Sequence, residues 1–191
     1  MEMVSVPEDA TKKAKEVASI SNKQEYDYTD KYTSMIKVYW DDTDMVSISG
    51  SIVNGEKEGA FTTYHKSGKV KEEENYIDGK LEGSWVGYDE NGYVSIKQTF
   101  YQGFRVGKYL TYENGNLKHE INFATIDLVK SDKNKLGKQE GKEFWYNENG
   151  GISIEENWSN NKREGQYICY DENGEIKSVD VYYYGCKQQT Y

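Results

Sequence analysis

The sequence predicts a mainly β protein: an antiparallel β-meander of about five hairpin repeats of 24 residues in a single sheet, with a short helix at its N-terminus. Three observations predict it. A glycine recurs at Gly59, Gly83, Gly107, Gly141 and Gly165, at spacings of 24, 24, 34 and 24, and periods of this length mark repeat architectures. A tyrosine (Tyr64, Tyr88, Tyr112, Tyr146, Tyr170) stands five residues after every one of these glycines. Asn-Gly pairs at Asn91-Gly92, Asn114-Gly115, Asn149-Gly150 and Asn173-Gly174 lie between alternating apolar residues. That is the strongest short-range hairpin signal, because the turn needs φ > 0 and these residues tolerate it best.

Residues 1–34 divide into a helix and a linker. Ser5 and Glu8 form a capping-box pair, Pro7 and Asp9 suit a first turn, and Ala10, Ala14 and Val17 recur at helical spacing. The stripe is thin, so this helix over 1–20 needs a surface to dock on, and the end of a repeat array is a natural one. Residues 21–34 are polar and read as a linker. From 35 to 191 the pattern is that of the β-repeat domain. Ile36, Val38 and Trp40 alternate, Asp41-Asp42-Thr43-Asp44 marks a turn, and Val46, Ile48 and Ile52 resume the alternation. This hairpin over 35–58 is a degenerate first copy.

The clear copies begin at the five glycines. Two residues after each stand Phe61, Trp85, Tyr109, Glu143 and Tyr167, so the fourth copy departs, with Phe144 and Trp145 beside the exception. The returning strands close on Tyr76, Phe100, Phe123, Trp158 and Tyr182. A second tight turn joins the copies, as at Asn54-Gly55, Asp78-Gly79 and Gln102-Gly103. The 34-residue interval carries an insertion over 125–135 that is polar and basic, with Lys130, Lys133 and Lys135. It reads as a tolerated surface loop or as part of a binding face.

Composition narrows the function classes. Eighteen tyrosines and four tryptophans accompany five phenylalanines and one proline, and aromatics with a polar tip suit half-wet sheets. The formal charge of −9 opposes nucleic-acid binding and strong binding to an anionic membrane, and favours basic partners. No apolar run approaches the ~20 residues of a transmembrane helix. The first residues lack a basic region followed by an apolar one, so a cytoplasmic location is expected; export, with a leader removed, is the alternative. Cys169 and Cys186 are expected as free thiols, and no zinc spacing occurs.

Motifs that carry chemistry are nearly absent. Gly103-Phe-Arg-Val-Gly107-Lys108 and Gly137-Lys-Gln-Glu-Gly141-Lys142 place three residues between glycines where a phosphate-binding loop needs four, and neither lysine precedes Ser or Thr. His65 and His119 have no nucleophile or acid at a motif spacing. Asp41-Asp42-Asp44 and Glu72-Glu73-Glu74 lack the calcium-loop pattern. No catalytic residue, metal or cofactor is therefore expected. The two aromatic rows have opposite parity and face opposite sides of a regular strand. The tyrosine row is a structural ladder; the other row is core against the N-terminal helix or a surface for a partner.

These residues resemble the MORN-repeat family in its bacterial variant form: Asn/Asp-Gly, three residues, Gly, any residue, an aromatic, two residues, Tyr, then a turn ending in Asn-Gly. The pattern covers Gly55 to Tyr184 and is similar to that of YwqK-type antitoxins. The resemblance implies a curved β-meander used for protein contacts and a toxin-neutralising role. The expected function is a non-catalytic protein-binding module, an antitoxin or immunity protein whose partner is a basic toxin encoded nearby. Trp85, Tyr109, Trp145 and Tyr167 are its expected anchors, and Glu72, Glu74, Asp89 and Glu90 its specificity residues. The alternative is a structural or cell-envelope scaffold with no single tight ligand.

Overall fold

The computed structural model describes residues 24–28, 33–41 and 43–188. The expected helix over 1–20 lies outside them. The described residues fall into two compact units, one ending at Gly92 and the other beginning at Tyr93.

The first unit holds β1 (Gln24–Tyr28), β2 (Thr33–Tyr39), β3 (Val46–Val53), β4 (Glu56–Tyr64), β5 (Val70–Ile77), β6 (Lys80–Leu81) and β7 (Gly83–Tyr88). They lie in the order β1-β2-β3-β4-β5-β7, all antiparallel, with β6 also on β5. The stretch 21–34, expected as linker, thus contains a strand: β1 pairs with β2 from Gln24↔Val38 to Tyr28↔Ser34. Its polar sequence has no apolar alternation to announce it. The second unit holds β8 (Val94–Tyr101), β9 (Phe104–Glu113), β10 (Asn116–Phe123), β11 (Gln139–Tyr146), β12 (Ile152–Ser159), β13 (Lys162–Tyr170), β14 (Ile176–Tyr183) and β15 (Cys186–Lys187). These follow chain order as an antiparallel meander. In each unit the first described strand does not pair with the last, so neither closes into a barrel.

The turns are of two kinds. The joins between copies, and Asn114-Gly115, are two-residue turns with both central residues at positive φ, as at Asp78 (49°) and Gly79 (71°). Asn91, Asn149 and Asn173 differ from the expectation, because only their glycines have positive φ. There the side chain at the start of a longer loop organises the turn. The Asp89 carboxylate accepts from Asn91 N at 2.9 Å, and Asn147 and Asp171 repeat the bond. The third copy is one residue short because its turn is the tighter kind.

The glycine that opens each copy is not a turn residue. Except at Gly83, which begins β7, it lies inside a strand at positive φ, where the pairing with the preceding strand shifts, as at Gly107 between β8 and β9 and Gly165 between β12 and β13. Such bulges bend and twist a strand. The residue before it has its own task. Glu58, Glu140 and Glu164 accept the backbone N–H of Asp78, Asn160 and Tyr184, at 2.9, 3.1 and 2.8 Å. Each glutamate therefore staples the turn twenty residues further on. The tyrosine ladder works in the other direction. Tyr64, Tyr88 and Tyr170 place their hydroxyls on Ser49, Glu73 and Glu155, each fifteen residues earlier. Lys97 stands over the Tyr112 ring in the same relation. The ladder is thus tyrosine on polar group rather than ring on ring.

The core of the first unit gathers Ile36, Ile52 and Phe61, with Ile48 and Tyr76 packed against it. Gly50 makes room: a Cβ there would lie 2.5 Å from the Phe61 ring. In the second unit the insertion supplies the core. Residues 126–131 form a short helix, α1 (Ile126–Ser131), capped by Thr125, and a 3-10 turn follows at Lys133–Lys135. Val129 joins Val106 and Ala124 in the interior, with Ile126, Leu128 and Leu136 around them. The expected basic surface loop is therefore a docked plug whose lysines cover an apolar underside. It follows the one copy in which Val106 replaces the stapling glutamate, because no turn remains there to staple.

Candidate interaction face with a buried ionic cluster

The expected anchors of the second unit share one face by register. Tyr109, Ile121, Glu143, Glu156 and Tyr167 are successive cross-strand partners from β9 to β13. In the neighbouring row His119 pairs with Trp145, Trp145 with Ile154 and Ile154 with Cys169. Trp145 is 42% exposed, yet its ring stacks on His119 with centroids 3.6 Å apart.

Beneath it lie two acids. Glu143 and Glu156, 6% and 4% exposed, face each other directly between β11 and β12. His119 Nε2 lies 2.5 Å from Glu143 Oε1, and Gln139 Nε2 donates to Oε2 at 2.6 Å. Arg163 Nε donates to Glu156 Oε2 at 2.5 Å, and its guanidinium also lies 5.4–5.5 Å from the rings of Trp158, Tyr167 and Tyr182. The two acids are driven apart electrostatically. Burial pushes Glu143 upward, but the hydrogen bonds from His119 and Gln139 outweigh it and hold the carboxyl below its usual value. Burial pushes Glu156 up, Arg163 only partly offsets it, and the Glu143 charge adds to the rise.

This cluster escapes sequence reasoning because its members are 119, 143, 156 and 163. The signal that points to it is Glu143 in the slot where the other copies place an aromatic. The cluster is tight, but its groups are spent on one another. Among the described residues no group of three or more His, Cys, Asp or Glu side chains is placed to hold a metal ion. Nor is any helix long and apolar enough to cross a membrane.

The remaining expected residues have internal contacts. Tyr109 is half-buried with Arg105 5.3 Å from its ring, and Tyr167 meets Tyr182 edge-on. Trp85 is half-buried in β7. Glu72 lies 4.0 Å from Lys71. Glu74 accepts from Tyr76 Oη at 2.7 Å, and Lys57 lies 3.8 Å away. Asp89 organises its turn, and Glu90 lies 3.2 Å from His65 Nδ1 with most of its side chain exposed. Cys169 and Cys186 are unbridged.

Such an open array of stapled hairpins with an aromatic face is a β-repeat module. The family model of the MORN repeat variant matches residues 57–78, 139–160 and 163–182, which are β4–β5, β11–β12 and β13–β14 with their turns. A search of curated proteins gives no match. Protein interaction is a plausible role for a module of this kind.

Proposed function

We propose that this protein is a non-catalytic binding module that neutralises a basic toxin, as an antitoxin or immunity protein, and that Trp145 anchors the complex. The observation that carries this reading is a large aromatic left 42% exposed while its ring is stacked on the half-buried His119. Interfaces draw most of their energy from such pre-oriented aromatic anchors, since little side-chain freedom is lost on binding. Tyr109 and Tyr167 flank it on the same face. The net charge of −9 steers a cationic partner toward the module.

The product of the reading frame beside this one is the partner to test. Titration calorimetry at ~0.15 M salt should give micromolar or tighter binding, and Trp145→Ala should weaken it at least tenfold without lowering the melting temperature. No heat of binding to the neighbouring product would refute the proposal.

A further inference from the structure

The pair Glu143–Glu156 has no counterpart in the other copies. Its position holds Phe61 against Glu74 in β4–β5, Tyr109 against Ile121 in β9–β10 and Tyr167 against Asp180 in β13–β14. Among the strand pairs described above, this is the one where two carboxyls meet across neighbouring strands, both almost without solvent. Each has one basic side chain in contact, and the two lie on opposite sides: His119 on β10 and Arg163 on β13. Two like charges set directly opposite each other and nearly shut off from solvent disfavour ionising together.

We propose that the pair is a one-proton latch. On acidification a proton binds the Glu156 carboxylate. The resulting O–H turns from Arg163 to donate to the Glu143 carboxylate, which stays ionised and bound to His119. No other bond changes in kind; one proton is gained from solvent, and the guanidinium loses the negative charge of Glu156. Arg163, already 39% exposed along its side chain, is then held only by Trp158, Tyr167 and Tyr182. Acid thus detaches β13 from the cluster while β10 and β11 remain joined through His119 and Glu143.

The order follows from the surroundings. Facing the pair are His119 from β10, Gln139 from β11, Trp158 from β12, Arg163 and Tyr167 from β13, and Asp180 and Tyr182 from β14. Asp180 is occupied by Lys187 at 2.8 Å. Glu143 has two donors and Glu156 only one, so the proton goes to Glu156. The downward displacement of Glu143 and the upward displacement of Glu156 agree with that order. The latch is independent of any partner.

The test is a pH titration of the Arg163 Nε–Hε resonance by NMR in the intact chain. The resonance should move in a single step centred above the ordinary glutamate value of about 4.3. Glu156→Gln should abolish the step and show the acid-limit shift already at neutral pH, whereas Glu156→Asp should keep a step. Glu143→Gln should lower the midpoint toward the ordinary value. A resonance unmoved until acid unfolding, or a step that survives in Glu156→Gln, would overturn the latch. Should Glu156→Gln not fold, the Glu143→Gln midpoint decides alone: a lowered value supports the latch and an unchanged one refutes it.

Discussion

Val106→Glu restores the residue that the other copies place before the repeat glycine, and it should be among the most damaging changes in the chain. In other copies that glutamate staples the next turn, as Glu58 does for Asp78 and Glu164 for Tyr184. At Val106 the next turn is replaced by α1 and the 3-10 turn, and the side chain is 1% exposed against Ala124 and Val129. The substitution removes a buried valine worth about 1.5–3 kcal/mol and leaves a carboxylate without a cation, which costs several kcal/mol more. A loss of about 4 kcal/mol or more is therefore expected, a large part of the 5–15 kcal/mol typical of a domain. Urea denaturation followed by circular dichroism measures it. A second variant closes the reasoning. Replacing residues 125–137 by an Asn-Gly turn exposes Val106, and adding Val106→Glu to that shortened chain should raise stability by about 1 kcal/mol, the worth of a turn-capping bond. If Val106→Glu costs less than 1 kcal/mol in the full chain, or fails to help the shortened one, the exchange of staple for plug is wrong.

Three further outcomes are expected. Gly50→Ala should destabilise by about 1–3 kcal/mol in urea unfolding, because its Cβ would meet the Phe61 ring at 2.5 Å in a packed core. The hydrogen bond to Glu73, then burial, raises the Tyr88 pKa above 10, and burial with Glu155 does the same for Tyr170. Because the folded values are raised, the stability they contribute is complete below pH 10 and lost as pH climbs through the folded values. Melting temperatures should fall above pH 10, in step with tyrosinate absorbance near 295 nm, and Tyr88→Phe should flatten part of that fall. Glu143→Phe restores the aromatic of the other copies and should cost less than Glu143→Ala by about 1–3 kcal/mol, since volume is kept opposite Glu156 as it is at Phe61 and Glu74. A Glu143→Phe variant as unstable as Glu143→Ala would show that the ionic bonds, not packing, hold this position.

How far the sequence could be read depended on how local each cause was. The hairpins were legible because period-two alternation and Asn-Gly lie within a few residues, and the two-residue turn at Asn114-Gly115 is as expected. The glycines at 59, 83, 107, 141 and 165 were visible as a period but not as bulges, since a register shift is a relation between strands. Residues 125–135 read as polar and basic because three lysines and the polar residues between them outnumber Ile126, Leu128 and Val129; which side of α1 meets Val106 is decided by the sheet beneath. The cluster of His119, Glu143, Glu156 and Arg163 spans four strands and 45 positions of sequence. Only the lapse of the aromatic pattern at Glu143 gave it away.

The tyrosine ladder gives the array a direction. Three of its tyrosines place the hydroxyl on a polar group of the hairpin before: Tyr64 on Ser49, Tyr88 on Glu73, Tyr170 on Glu155. Nothing in this bond depends on the hairpin after it. Within the ladder, losing a hairpin from the N-terminal side strips its successor of a support, whereas losing one from the C-terminal side frees a hydroxyl or a carboxylate, which water solvates well. As far as the ladder is concerned, such a chain is lengthened or trimmed at its C-terminal end more cheaply than at the other. A ribosome delivers the supporting end first, so each new hairpin emerges with its footing already made.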